Sequence, residues 1–196
     1  MKISASILAA DKNNLLNDIH EHINEFELLH IDIGDNIFCP TYGISYEVLY
    51  EIDKTGEYKI DLHLMIENPL SVLPSIKNLT LKNITVHCES TTTNEFIKLK
   101  SENYKLGIGV LISSPLTLLE PYLILADSVL LLCVEPGFSN QNPKISPIKR
   151  VRDFQNMFPN YTGKVSVDGG VKDFMLPQLK KLGVNIAVQG GAIFAR

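Results

Sequence analysis

Two histidines and two aspartates carry the first chemical signal in this chain. His30 and Asp32 stand two apart in Leu29-His30-Ile31-Asp32-Ile33. Alternate residues of a strand point to the same face, so such a pair can share one ligand. Alone, this His-x-Asp is explained as well by a buried histidine hydrogen-bonded to a neighbouring carboxylate. His63, in Asp61-Leu62-His63-Leu64-Met65, says equally little by itself. With Asp168 they form a set of two imidazoles and two carboxylates. That set suits one borderline divalent cation (Zn²⁺, Fe²⁺, Mn²⁺ or Co²⁺) and leaves positions for substrate oxygens. Burying unpaired carboxylates is costly, which also favours a cation.

Glycines carry the second signal. Pro136-Gly137-Phe138, Gly169-Gly170 and Gly190-Gly191 each follow an apolar run late in the chain. One such glycine or pair reads as a tight turn. Three in successive loops, with backbone N–H groups free near helix starts, suit a substrate phosphate.

These residues must be positioned by the elements around them. Short apolar runs recur from end to end: ISASIL from 3, ELLHIDI from 27, KIDLHLMI from 59, ITVHC from 84, KLGIGVLI from 105, SVLLLCV from 128, KVSV from 164 and NIAV from 185. Each interval leaves room for one strand and one helix. Several runs are continuously apolar, as in parallel strands buried on both faces. Between them Leu15, Ile19 and Ile23 recur at helical spacing, and Ile148, Val151 and Phe158 share a face. Asn68-Pro69, Ser114-Pro115 and Ser146-Pro147 each place a capping residue before proline at a helix start. Gly183 marks a stop before the last strand.

Eight such repeats predict an α/β chain folded as a (β/α)₈ TIM barrel, a single domain over residues 1–196. A doubly wound open sheet is the alternative, but no GxGxxG follows the first strand. The polar residues then gather at the strand ends, where barrel enzymes build their sites: Ser6, His30 and Asp32, His63, His87 and Glu89, Glu135, and Asp168. After the eighth strand too little chain follows for a full outer helix. The barrel wall near Ile3, Ile7 and the NIAV strand is therefore expected to be exposed, favouring a homo-oligomer or a marginally stable monomer.

Composition narrows the function classes. The chain has 196 residues, 45% of them hydrophobic, and Lys+Arg 18 against Asp+Glu 22 leaves a net charge of −4. A nucleic-acid binder would carry a basic surplus, and a disordered chain far less apolar residue. No run approaches a membrane span. Cys39, Cys88 and Cys133 read as reduced thiols of a cytoplasmic protein, with Cys88 and Cys133 buried.

In order along the chain, Ser6-Ile7-Leu8-Ala9-Ala10-Asp11, His30-Ile31-Asp32-Ile33-Gly34-Asp35, His63-Leu64-Met65, Val134-Glu135-Pro136-Gly137-Phe138, Val167-Asp168-Gly169-Gly170-Val171 and Gly190-Gly191-Ala192-Ile193-Phe194 resemble the ribulose-phosphate 3-epimerase family, including its relatives acting on hexulose 6-phosphates. The resemblance spans essentially the whole chain. It implies an isomerase that inverts C3 of a ketose phosphate, D-ribulose 5-phosphate to D-xylulose 5-phosphate, using one divalent cation per chain. By that resemblance His30, Asp32, His63 and Asp168 are metal ligands, and Asp32 and Asp168 also the acid and base. Ser6 and His63 would touch the sugar, and Gly137, Phe138, Ser139, Asn140, Gly169, Gly170, Gly190 and Gly191 would cradle the phosphate, with Asp168 beside the substrate. His87 and Glu89 match the family's fourth-strand ending without an assigned role.

The chain also departs from the family. Ser139 and Asn140 replace two glycines, Gly34-Asp35-Asn36 replaces Met-Asp-Gly, and Leu111-Ile112 replaces Asn-Pro. Leu132 stands for a methionine, and Gly190-Gly191 for Gly-Ser. Two other readings follow: a hexulose 6-phosphate (allulose 6-phosphate) 3-epimerase, and a non-catalytic sugar-phosphate binder of the same fold.

Overall fold

The computed structural model describes residues 1–101 and 103–195. Each apolar run is a strand: β1 (Lys2–Ser6), β2 (Leu28–Gly34), β3 (Ile60–Met65), β4 (Leu81–His87), β5 (Lys105–Val110), β6 (Ser128–Leu132), β7 (Lys164–Asp168) and β8 (Ile186–Gln189). They pair in parallel in chain order, and β8 closes on β1 with Gln189 beside Ala5. A closed ring excludes the open sheet.

The ring sorts its residues by the period of a strand. Ala5, Leu29, Ile31, Leu62, Val86, Ile108 and Val167 join the main apolar core, where they meet Ile19, Leu49, Phe96, Val151, Phe154 and Leu179 of the outer helices. The alternate positions face into the ring. One side of that interior is apolar, built from Leu130, Leu132 and Val188. The other is polar and buried: Ser4, His30, Asp32, Asp61, His63, Thr85 and His87. Strands β1 to β4 thus alternate more strictly than an all-apolar strand, because their inner face builds a site.

The outer helices are α1 (Leu15–Glu21), α2 (Tyr46–Thr55), α3 (Leu73–Ile76), α4 (Thr93–Leu99), α5 (Pro147–Met157), α6 (Leu176–Lys181) and α7 (Gly191–Phe194). Pro69 opens a 3₁₀ turn leading into α3, and Pro147 opens α5, but neither Asn68 nor Ser146 caps through its side chain. After Pro115 the chain forms a 3₁₀ segment, Leu116–Tyr122, instead of an α-helix. Pro121 inside it lacks the N–H an α-helix would need there. Gly183 ends the α6 region with φ 78°, its N–H donating to the Lys180 carbonyl at 3.0 Å.

The short eighth helix is present as the four residues of α7. The exposed wall expected beneath it is not found. Ile7, Ile186, Ala187 and Val188 are buried, and Ile3 is partly buried. The gap is closed because Ile193 of α7 packs into the core and Phe194 lies edge-on against His22, ring centroids 5.3 Å apart. The argument for self-association through that wall goes with it. The chain end at Arg196 lies outside the described residues. All three cysteines are free thiols; Cys39 and Cys133 are buried, but Cys88 is only partly so. Among the described residues no helix is long and apolar enough to cross a membrane.

Candidate active site

Strand register, more than loop shape, assembles the His/Asp cluster. Ser6 on β1 lies beside His30 on β2, and Asp32 beside His63 on β3. His63 Nδ1 is 2.8 Å from Asp32 Oδ1, and Ser6 Oγ donates to Asp32 Oδ2 at 2.9 Å. His30 Nε2 lies 3.2 Å from Asp32 Oδ1 and 3.8 Å from Asp168 Oδ2, which arrives from β7. One donor atom from each of His30, Asp32, His63 and Asp168 lies within 4.8 Å of every other. The structure therefore brings together the four residues that the sequence singled out.

His30 is held from behind. Its Nδ1 is 3.0 Å from Asp61 Oδ2, and Asp61 also accepts from Ser4 Oγ at 2.8 Å and Asn83 Nδ2 at 3.1 Å. A carboxylate on Nδ1 holds a proton there and turns Nε2 toward the site. That Nε2 is buried and makes no hydrogen bond among the described residues. An orphaned imidazole nitrogen aimed between two carboxylates is satisfied by a divalent cation, so the donor set fits one.

Asp61, His87 and Glu89 are the site residues to which sequence reasoning gave no role. Asp61 was findable, because it precedes His63 by two and so shares its inward face. His87 Nε2 reaches within 2.8 Å of His63 Nε2. Its ring fits because Gly109 stands beside it on β5, where a Cβ would lie 3.1 Å from His87 Cε1.

The electrostatics pull the two acids apart. Burial pushes Asp32 up, but His30 and His63 outweigh it and hold the carboxyl well below the usual carboxylate range. Asp168 moves the other way: burial raises it, His30 only partly offsets this, and Asp32 adds to the rise. Burial disfavours charge on His30 as well, yet Asp32 and Asp61 together hold its pKa well above the ordinary value. Burial pushes His87 down to about 4. Glu89 is brought down to about 2: burial opposes this, and contacts with His87, Ser114 and the Leu111 N–H outweigh it.

The glycine loops line the same cavity at the mouth of the barrel. Ser6, Asp32, His63, Asp168 and all the loop residues from Gly137 to Asn140, with Gly169, Gly170, Gly190 and Gly191, border it. His30 lies beneath. Gly169 is required by its turn, with φ 101° and a hypothetical Cβ 2.6 Å from Val134 Cγ2. Gly191 is different, because a Cβ there would lie 2.1 Å from Asn140 Oδ1. Asn140 itself has φ 57°, a left-handed conformation that asparagine tolerates. The backbone thus keeps a glycine-like shape while the side chain is added over Gly191. Phe138 borders the mouth with its ring 55% exposed. Glu135 also borders the cavity and pairs with Lys144. Lys172, unremarked in the sequence, places a cation-bearing side chain on the rim.

Comparison with known proteins agrees with this geometry. The family described as ribulose-phosphate 3 epimerase matches residues 2–194. A ribulose-phosphate 3-epimerase of Aquifex aeolicus is 34% identical over 174 residues, 86% of this chain and 78% of the relative. One from Bacillus subtilis is 30% identical and covers 100% of this chain and 93% of its own length. Among solved structures, a 3-hexulose-6-phosphate synthase from Salmonella typhimurium superposes with a TM-score of 0.71 at 13% identity, covering 100% of this chain and 92% of the other, which shows the barrel fold. The chain belongs to the ribulose-phosphate 3-epimerase family and is an isomerase acting on carbohydrates.

Proposed function

We propose that this family member is a metal-dependent 3-epimerase interconverting D-ribulose 5-phosphate and D-xylulose 5-phosphate. The observation that carries the reading is the buried, unpartnered His30 Nε2 inside a four-residue His/Asp cluster. A cation held by His30, Asp32, His63 and Asp168 would supply positive charge against the oxyanion that develops when a proton next to a ketone is lost. Asp32 takes the proton at C3 from one face, and Asp168 returns one from the other, so the carbon inverts. In the reverse direction the two exchange roles. Ser6 holds Asp32 in place through the 2.9 Å hydrogen bond to Oδ2.

The phosphate is bound by backbone amides of the loops after β6, β7 and β8, with Lys172 adding charge at the rim. The Asn140 side chain lies over Gly191 at the border of the cavity, taking up room there. This supports a five-carbon substrate over allulose 6-phosphate. Assay of the purified chain with ribulose 5-phosphate and allulose 6-phosphate, with and without a chelator, tests the reading. Expected is turnover of the pentulose that a chelator abolishes and Mn²⁺ or Zn²⁺ restores. Full turnover after exhaustive chelation would overturn the metal assignment, and faster turnover of the hexulose the substrate assignment.

A further inference from the structure

We propose that His87 and Glu89 are positioning residues for His63: they hold a proton on its Nε2, so that Nδ1 is the nitrogen left open to a divalent cation. The inference rests on the cation-binding reading above and extends it to two residues outside the cluster.

His63 Nε2 and His87 Nε2 face each other at 2.8 Å, and both residues are buried. Two ring nitrogens at that distance share one proton. With none, two lone pairs oppose each other; with two, the hydrogens collide. The tautomers of the two rings are therefore linked.

The far side of His87 decides the direction. Its Nδ1 lies 3.4 Å from Glu89 Oε2, and neither buried atom has a hydrogen-bond partner among the described residues, so each answers the other's need. A carboxylate oxygen only accepts, so His87 carries its proton on Nδ1 and is bare at Nε2. His87 Nε2 must then accept, and His63 Nε2 donates. Without a cation, the 2.8 Å contact between His63 Nδ1 and Asp32 Oδ1 is a hydrogen bond that Nδ1 donates. A cation would take that proton's place, and neutral His63 could offer it Nδ1 because Nε2 keeps its proton against His87.

The two cluster histidines reach the same end by different routes. His30 meets a carboxylate directly, Asp61 at Nδ1, and presents Nε2. His63 presents Nδ1, and its carboxylate acts through one more imidazole. Glu89 is itself anchored, since its Oε1 accepts the Leu111 N–H at 2.9 Å.

That anchor makes Glu89→Gln a polarity test at constant shape. The amide oxygen keeps the Leu111 N–H, so the NH₂ turns to His87 Nδ1 and the relay reverses. Zn²⁺ affinity, measured without substrate by competition with a chelating dye, is expected to fall about 10–100-fold. In Zn²⁺-loaded protein, imidazole ¹⁵N spectra are expected to show Nε2 of His87 bare in the wild type and protonated in Glu89→Gln. A second pair guards against a folding defect. His87→Gln, whose amide oxygen still accepts from His63, should keep Zn²⁺ affinity, and His87→Leu should lose it. Equal affinity in wild type and Glu89→Gln overturns the proposal. So does weaker binding with His87 Nε2 still bare, which would make Glu89 a structural anchor only. A wild-type chain that takes up no Zn²⁺ overturns the cation reading and this inference together. It differs from failure of the inference alone, in which wild type and variant bind alike.

Discussion

His30, Asp32, His63 and Asp168 project from strands β2, β3 and β7, whereas Ser139, Asn140 and the glycine pairs lie in the loops just above them. Both groups border one mouth, yet they differ in what holds them. The strand residues are fixed by inter-strand register and by buried partners such as Asp61 and Ser6. The loop residues are held by turn conformations, several with positive φ, and by contacts that a single side chain changes, as Asn140 does over Gly191. Strand-held groups keep the spacing proton transfer needs, and loops can vary to fit the rest of the substrate. None of the departures named from the sequence falls on the four-residue cluster: Leu132 and Gly34 lie elsewhere on β6 and β2, and Ser139 and Asn140 lie in the loop after β6.

The comparison breaks first at the carboxylates. Asp32→Asn and Asp168→Asn should each lower kcat on ribulose 5-phosphate by about 10⁴-fold, the upper end for a positioned acid or base. Exchange of the C3 proton with solvent, followed by deuterium uptake, should survive in one of the two. Full turnover in either variant would remove it from the proton-transfer pair.

His63→Ala tests the cation separately from the proton transfer. Metal content by atomic emission should drop from about one ion per chain, with affinity weakened at least about 100-fold, since loss of outer partners alone costs up to that. Equal content in both proteins would take His63 out of the cluster's function.

The loop side should respond more mildly. Ribulose without its phosphate forfeits the equivalent of one charge-assisted hydrogen bond, about 1.5–3 kcal/mol. Its kcat/KM should therefore fall by about 10–100-fold or somewhat more, while the cluster's metal content stays unchanged. Comparable turnover of the two sugars would mean that the glycine loops are turns and nothing more.

Asn140→Gly should have the smallest effect and sharpen the contrast most. Glycine adopts the φ of 57° without strain, so the melting temperature should hold. The ratio of allulose 6-phosphate to ribulose 5-phosphate turnover should rise, with kcat on the pentulose retained. A loss of kcat instead would place Asn140 with the strand-held groups.

Much of this could be read along the chain. The eight strands, the identity of the cluster and the late glycines rest on patterns local in sequence: period-two alternation, proline and glycine punctuation, and short motifs. Asp61-x-His63 and His87-x-Glu89 were equally visible as spacings. Their partners were not, because Asp61 meets His30, and His87 meets His63, only across neighbouring strands, where register and not sequence spacing sets the contact. The same holds for the wall beneath α7. A count of residues after β8 predicted exposure, but Ile193 and Phe194 close the gap through contacts with segments from the other end of the chain. Local periodicity determined which residues face inward. Strand register, which joins residues on neighbouring strands 24 to 31 positions apart, decided which of those residues touch, and so which nitrogen of each histidine is left to bind.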